Sequence, residues 1–409
     1  MTANADTTDR SQLTDLPPFP WRRASPLRPP ELYDALRDSQ PVAPIKLATG
    51  MNAWLVTSYA AGKTLLNDRR ASSDRAHPGF PYFVHVPDSF RERPGFVGID
   101  PPRHTVHRKA LAGEFTRHQM ANLRGMVQRT VDERIDAMLD SSKPVDLVHE
   151  LALPVPLTVI CNVLGVPYSD HAFFHKHTRM MFDSSGTAED RQAGVAALTD
   201  YLTALVEDKR VAPSDDLISR VAEKYNAAGL TDPNELVTLS RLLLNGGHES
   251  SSNMISLGTL AMLDNPEQIP LLTDAAPSLL TSAVEELLRF ISPTDLATGR
   301  VALEDIPIGG ALIREGDGII IAGAAANHDP TVFAEPARLD LERDAHHHVS
   351  FGYGIHRCIG GPLAQMELEV LFPTLFQRIP NLRLAVPFDD LRFKDGAFMY
   401  GVYEMPVTW

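Results

Sequence analysis

From Asp100 onward, apolar residues recur three and four positions apart in segment after segment, the spacing that lines one side of a helix. Most of the chain beyond that point is therefore expected to be helical. One helix starts near Asp232, with Asp232 as N-cap, Pro233 at the first helical position and Glu235 three residues after the cap, a capping-box arrangement. It runs to about Asp264, where Asn265-Pro266 stops it, and a helix of that length would cross the whole core. Another carries Leu279, Leu280, Ala283, Val284, Leu287 and Leu288 on one stripe, with Glu286 and Arg289 on its other side. Strand-like stretches are short: Ala53–Thr57, Arg300–Ala302, Leu312–Ala322 and the C-terminus. Prolines punctuate the first hundred residues and mark loops. The expected fold is mainly α with small β-sheets: one large helix-rich domain over 17–409 with a small β-rich N-terminal region, preceded by a disordered polar tail over 1–16.

Composition narrows the function classes. The chain has 409 residues, 44% of them hydrophobic, enough for a large core. No apolar stretch reaches the roughly 20 residues of a membrane span. The N-terminus lacks the basic start and apolar run of a signal peptide, so a soluble, cytoplasmic protein is expected. Two cysteines, Cys161 and Cys358, exclude a disulfide framework and a four-cysteine metal site. The formal charge of −14 argues against nucleic acid as a main partner.

The chemistry concentrates in Phe351-Gly-Tyr-Gly-Ile-His-Arg-Cys-Ile-Gly360. Gly352, Gly354, Gly360 and Gly361 allow tight turns and close approach of a flat ligand. Cys358 lies just before Pro362-Leu363-Ala364, which opens a helical pattern, and a thiol at a helix N-terminus is expected to have a lowered pKa. The plain alternative is a small apolar residue in the core. A zinc site joining Cys358 to His346, His347, His348 or His356 would need four placed ligands and gives the glycines no role.

Phe351, Gly352, Gly354, His356, Cys358 and Gly360 match the haem-binding loop of the cytochrome P-450 family, and Leu363-Ala364 its continuation. The resemblance extends from about Pro18 to Trp409. Leu153-Pro-Val-Pro-Leu-Thr-Val-Ile-Cys161 and Gly401-Val-Tyr-Glu-Met-Pro-Val-Thr-Trp409 look like the soluble actinobacterial members. The resemblance implies a cytochrome P-450 fold binding haem b (iron protoporphyrin IX), with Cys358 on the iron. Glu286-Leu-Leu-Arg289 resembles the family's E-x-x-R motif, whose ion pair props the cysteine loop; Arg338 or Arg343 would complete it. On its own such a pair is usually a solvated helix face. His104, Arg108, Arg300 and His356 occupy the family's propionate-contacting positions, and two buried carboxylates need such partners.

Within the long helix, Asn245-Gly-Gly-His-Glu-Ser-Ser251 resembles the family's oxygen groove. Gly246 and Gly247 weaken the helix and admit a ligand. Glu249 and Ser250 match the acid–alcohol pair that delivers protons, although the family usually has threonine where Ser250 stands. Serine keeps the hydroxyl and loses the methyl that restricts its rotamer. A second departure is Pro373, inside the helix expected after Cys358, which implies a bend there or a shorter helix.

The implied activity is insertion of one oxygen atom from O2 into a medium-sized hydrophobic substrate by a monomer. Electrons would come from a ferredoxin and its reductase, since no flavin or iron–sulfur motif is attached, and Arg103, His107, Lys109 and Arg357 would form a basic docking patch. Phe83, Val86, Phe90, Leu243, Leu244, Leu296, Ala297 and Met399 would line the substrate pocket; each also reads as ordinary core. Two other haem readings stay open: a peroxide-driven enzyme without an electron partner, and a gas sensor without catalysis.

Overall fold

The computed structural model describes residues 16–83, 91, 95–182, 187–274, 276–296 and 298–409. The expected tail, up to residue 15, lies outside these, as do Val86, Phe90 and Ala297. From the N-terminal side, α1 (Leu32–Ser39) leads to β1 (Val42–Lys46), β2 (Asn52–Val56), α2 (Tyr59–Asn67) and β3 (Ala71–Ser72). Helices then dominate: α3 (Arg103–Ala112), α4 (Arg117–Asp140), α5 (Pro154–Leu164) after the strand β4 (Val145–Asp146), α6 (His171–Phe182), α7 (Ala188–Val211), α8 (Leu217–Ala227), α9 (Pro233–Asp264), α10 (Pro270–Thr273) and α11 (Pro277–Ile291). Strands β5 (Gly299–Ala302), β6 (Ile306–Ile308), β7 (Ala311–Ile313) and β8 (Gly318–Ile321) follow, then α12 (Gly323–Asn327), α13 (Gly361–Arg378), β9 (Arg383–Leu384) and β10 (Pro406–Thr408).

The main sheet has five strands in the order β1-β2-β8-β5-β3, with β2 and β8 parallel and the other neighbours antiparallel. A three-stranded sheet, β4-β10-β9, ties the C-terminus to the start of the helical part, and β6-β7 form a hairpin. The fold is mainly α with small sheets, as the periodicity implied. Among the described residues, no helix is long and apolar enough to cross a membrane.

The long helix α9 runs through the core as expected, packed against α5, α7, α11 and α13. Its residues from Ser251 to Met262 are buried continuously, each large apolar side chain contributing about 1.5–3 kcal/mol. Two hydroxyls in this stretch are satisfied within the helix: Ser256 Oγ donates to the Ser252 carbonyl at 3.0 Å and Thr259 Oγ1 to the Ile255 carbonyl at 2.8 Å. The N-terminus departs from the expected capping box. Asp232 accepts from the Asn234 N–H at 2.9 Å, and Glu235 instead pairs with Arg103. The helix after the cysteine, α13, continues through Pro373 to Arg378, so it is not shortened by the proline.

Glu286 and Arg289 are not a solvated pair. Both side chains are 0% exposed, and the guanidinium meets the carboxylate through two bonds, Nε to Oε2 at 2.6 Å and Nη2 to Oε1 at 2.8 Å. Arg289 Nη1 donates to the Asn327 and Pro336 carbonyls, both at 2.9 Å. Arg343 completes the network by donating Nε–H to Glu286 Oε1 at 3.1 Å, whereas Arg338 contributes only its backbone carbonyl. Asn327 extends the clamp: its Oδ1 accepts from Val349 N at 2.7 Å and its Nδ2 donates to Ser350 Oγ at 2.8 Å. The residues just before the cysteine loop are thus fastened to α11.

Removing one partner from a buried pair strands the other charge, at a cost of about 3–5 kcal/mol. Glu286→Ala is therefore expected to lower the urea unfolding midpoint far more than Arg343→Ala, whose guanidinium is partly exposed. Equal losses would show that the pair does not carry this load.

Candidate active site

The cysteine loop is closed by Cys358 N–H donating to the Phe351 carbonyl at 2.7 Å. Gly354 has φ +71°, and a Cβ there would stand 2.6 Å from the Leu66 carbonyl oxygen, so this turn against α2 requires glycine. Gly360 caps α13, and Pro362 sits at its first turn. Cys358 is accessible, unlike the buried Cys161. The expectation of a lowered thiol pKa is not met in the polypeptide. Although part of the residue is accessible, the protein atoms packed around the thiol desolvate it and push it up, which outweighs the Gly360 and Gly361 N–H groups, Arg108 and Arg357, which pull it down.

Beside the loop, basic side chains gather. Arg300 of β5, His104 and Arg108 of α3, His356 of the cysteine loop and Arg75 act on one another, with Asp100 as the nearby acid. The His104 and His356 rings lie 4.2 Å apart. Burial, then the charges of Arg300 and its neighbours, push His356 down to about 3; burial and Arg75 push Arg300 down to about 10. His104 Nε2 and both His356 nitrogens have no hydrogen-bond partner among the described residues. Such orphaned buried groups cost about 1–3 kcal/mol each, which two carboxylates of a flat ligand would relieve. All four sequence-derived positions are brought together. Arg75 was missed, because it lies in a loop with no periodic pattern.

Midway along α9, Gly246 is accessible, and a Cβ there would meet nothing within 4 Å. A Cβ on the neighbouring Gly247 would press on Ile160 of α5 at 3.1 Å. Ser250 Oγ donates to the Gly246 carbonyl at 2.6 Å, the back-bond that loosens a helix locally. Burial raises the Glu249 carboxyl, and the Lys394 ammonium, 3.9 Å away, opposes that rise. His248 points elsewhere: its Nε2 lies 3.1 Å from the Leu153 carbonyl. Glu367 of α13, pushed up to about 8 by burial, also faces α9 through Ser251; sequence patterning treats it as one more helix residue.

The pocket residues divide. Phe83 stacks on Phe398 with ring centroids 6.0 Å apart and planes 7° from parallel, and Leu296 packs in the same cluster. Met399, beside Phe398, is half-buried. Leu243 and Leu244 are buried in the main apolar core, while Leu242 and Asn245 occupy the half-exposed stripe with Gly246. The basic patch also shrinks. His107 is buried with Nδ1 2.6 Å from Tyr225 Oη, and Arg103 is paired with Glu235. Lys109 and Arg357 remain exposed. Among the described residues, no group of three or more His, Cys, Asp or Glu could hold a metal ion, so the zinc alternative has no ligand set.

A family model described as cytochrome P450 matches residues 277–390. Pentalenic acid synthase from Streptomyces avermitilis is 45% identical over 392 residues, covering 96% of this chain and 97% of that protein. Vitamin D3 dihydroxylase from Streptomyces griseolus is 41% identical over 409 residues, covering 99% and 100%. The crystal structure of cytochrome P450 MoxA from Nonomuraea recticatena superposes with a TM-score of 0.91 at 44% identity, covering 96% of this chain and 98% of that one.

The two glycines of α9 can be separated experimentally. Gly247→Val is expected to lower the thermal unfolding midpoint through overpacking against Ile160, at about 1–3 kcal/mol. Gly246→Val, pointing into open space, should leave that midpoint nearly unchanged. The reverse order would mean that the accessible groove lies elsewhere.

Proposed function

The chain belongs to the cytochrome P450 family, and on that premise we propose that it hydroxylates a medium-sized, largely apolar molecule on a haem held by Cys358, with electrons from a ferredoxin and its reductase. It is a monooxygenase with haem b as cofactor. Haem b, when bound, supplies the reductive activation of O2. The observation that carries the assignment of residues is an accessible cysteine, clamped from behind, beside a buried excess of positive charge with orphaned imidazoles.

The polypeptide's own contribution follows from these contacts. Cys358 is the metal ligand in this reading. A coordinated cation keeps a thiol deprotonated, which overcomes the upward push of burial. The Gly360 and Gly361 N–H groups then hydrogen-bond the sulfur and temper its electron donation. Arg300, His104, Arg108 and His356 would hold the two propionates, and Arg75 would join them. Gly246 leaves room over the groove and Ser250 holds a hydroxyl at its edge. Glu249, raised by burial, is the acid that passes a proton toward Ser250.

Phe83, Leu296, Phe398 and Met399 support an apolar substrate. Relatives are named for pentalenic acid and vitamin D3, and a solved neighbour is a mycinamicin VIII C21 methyl hydroxylase bound to mycinamicin VIII. Exposed Arg357 and Lys109 on a chain of charge −14 support docking of an acidic ferredoxin. The cysteine usage supports a cytoplasmic setting.

Carbon monoxide added to the reduced protein is expected to shift the Soret band strongly to the red, the mark of thiolate ligation; a band typical of histidine ligation would remove Cys358 from the iron. Ser250→Thr, which restricts the hydroxyl's rotamer, is expected to lower the hydrogen peroxide released per electron consumed. An unchanged ratio would show that serine leaks no more than threonine.

A further inference from the structure

A turn near the C-terminus reaches back onto α9 beside the groove. Residues 393–402 are pinned by an antiparallel bridge between Phe393 and Val402 and by Lys394 N–H donating to the Gly401 carbonyl at 2.8 Å. Gly401 lies so close to α9 that a Cβ would stand 2.1 Å from Asn253 Oδ1. That approach delivers the Lys394 ammonium, 9% exposed as a residue, to 3.0 Å from Asn253 Oδ1 and 3.9 Å from Glu249 Oε1. Residues 249 and 253 are one helical turn apart, so a single cation bridges both.

Lysine is almost never buried without a partner. The charged and titratable neighbours here are few. The Tyr403 ring lies 6.0 Å from the ammonium, and His248, influenced by Lys394 and by His175 of α6, is held neutral by burial. Arg392 pairs with Glu404 and Asp395 with Arg22, so these charges are engaged outside. Glu249 is therefore the carboxylate that Lys394 meets. Ser250 is bonded to Gly246 instead, so the acid is held toward the turn rather than toward the hydroxyl.

We propose that Lys394 is a positioning residue for Glu249, holding its carboxylate on the side of the C-terminal turn and so tying proton supply at Ser250 to the placement of that turn. The same turn carries Phe398, stacked on Phe83, and Met399. A molecule that displaces this aromatic contact shifts the turn and loosens the hold on Glu249; without it the acid stays engaged. The inference rests on reading Glu249 and Ser250 as the proton-delivering pair.

Two measurements on the haem-loaded protein test it. The first uses lysine labelled with carbon-13 at Cε, in the reduced carbon-monoxide form, with the Lys394 signal identified by its loss in Lys394→Met. That amine should titrate below the other lysines, because burial disfavours its charge. Glu249→Gln removes the carboxylate that favours the charge, so the midpoint should fall further, by about one pH unit. The second measurement follows NADPH oxidation with a plant-type ferredoxin and its reductase, with no other substrate added. Lys394→Met is expected to raise it severalfold, Lys394→Arg to restore it, and Glu249→Gln in the Lys394→Met background to abolish the rise. A Lys394 midpoint that ignores Glu249→Gln, or a rise that persists in the double variant, overturns the proposal. If Glu249→Gln alone changes oxidation and Lys394→Met does not, the proposal falls while the proton-delivery reading stands. If the rise occurs in Lys394→Met and persists in the double variant, the proton-delivery reading falls with the proposal.

Discussion

A buried ion pair, Glu286 with Arg289, governs how the rest of this structure can work. A thiol that is to serve as a fixed ligand must be accessible at one face and immobile behind. The loop that carries Cys358 has only a single 3-10 turn, Gly354–His356, of its own. The stiffness is borrowed from α11, through Arg289, Arg343 and Asn327, which tie the preceding backbone down at the Asn327, Pro336, Val349 and Ser350 positions. Each member is tolerable in the interior only because the others are present, since a lone buried charge costs more than any one contact returns. The network is therefore cooperative and sensitive to the loss of one atom group.

The electrostatics of the site run against what a folded chain alone would prefer. Arginines and histidines are crowded beside the cysteine loop, and the histidines are driven neutral by burial and by their cationic neighbours. At α9, the carboxyls of Glu249 and of Glu367, which bonds Ser251, are raised by burial, Glu367 most clearly. In the function proposed above, the polypeptide thus leaves negative charge to be supplied where the propionates would lie, and keeps the Glu249 carboxyl beside the accessible Gly246. The same burial produces both effects, because it penalises whichever form is charged.

The sequence was most legible where a local pattern and a local structure coincide. The capping proline and terminating Asn265-Pro266 delimited α9, and the spacing of Glu286 and Arg289 showed that they share a helix. It was least legible where partners come from distant segments. Arg343 could not be told from Arg338, because the choice depends on how a loop folds back on α11. His107 looked like surface charge until α8 placed Tyr225 over it. Arg75, Asn327 and Lys394 carry no motif; their roles come from burial against elements far away in the chain. Leu243 and Leu244 stand on the same helix as the groove, yet a rotation of roughly 100° per residue turns them into the core instead.

The parallel pairing of β2 with β8 has a consequence for the order in which the molecule can assemble. These strands lie far apart in the chain, whereas the contacts among α4 to α9 fall within one continuous stretch, 117–264. Closing so long a loop is entropically slow compared with helix docking. Arg75 follows β3 and Arg300 lies within β5, and these two strands pair with each other at the edge of that same sheet. A chain whose helices have already docked but whose sheet is still open therefore carries His104 and Arg108 in place while Arg75 and Arg300 are still missing from the basic set beside the cysteine loop.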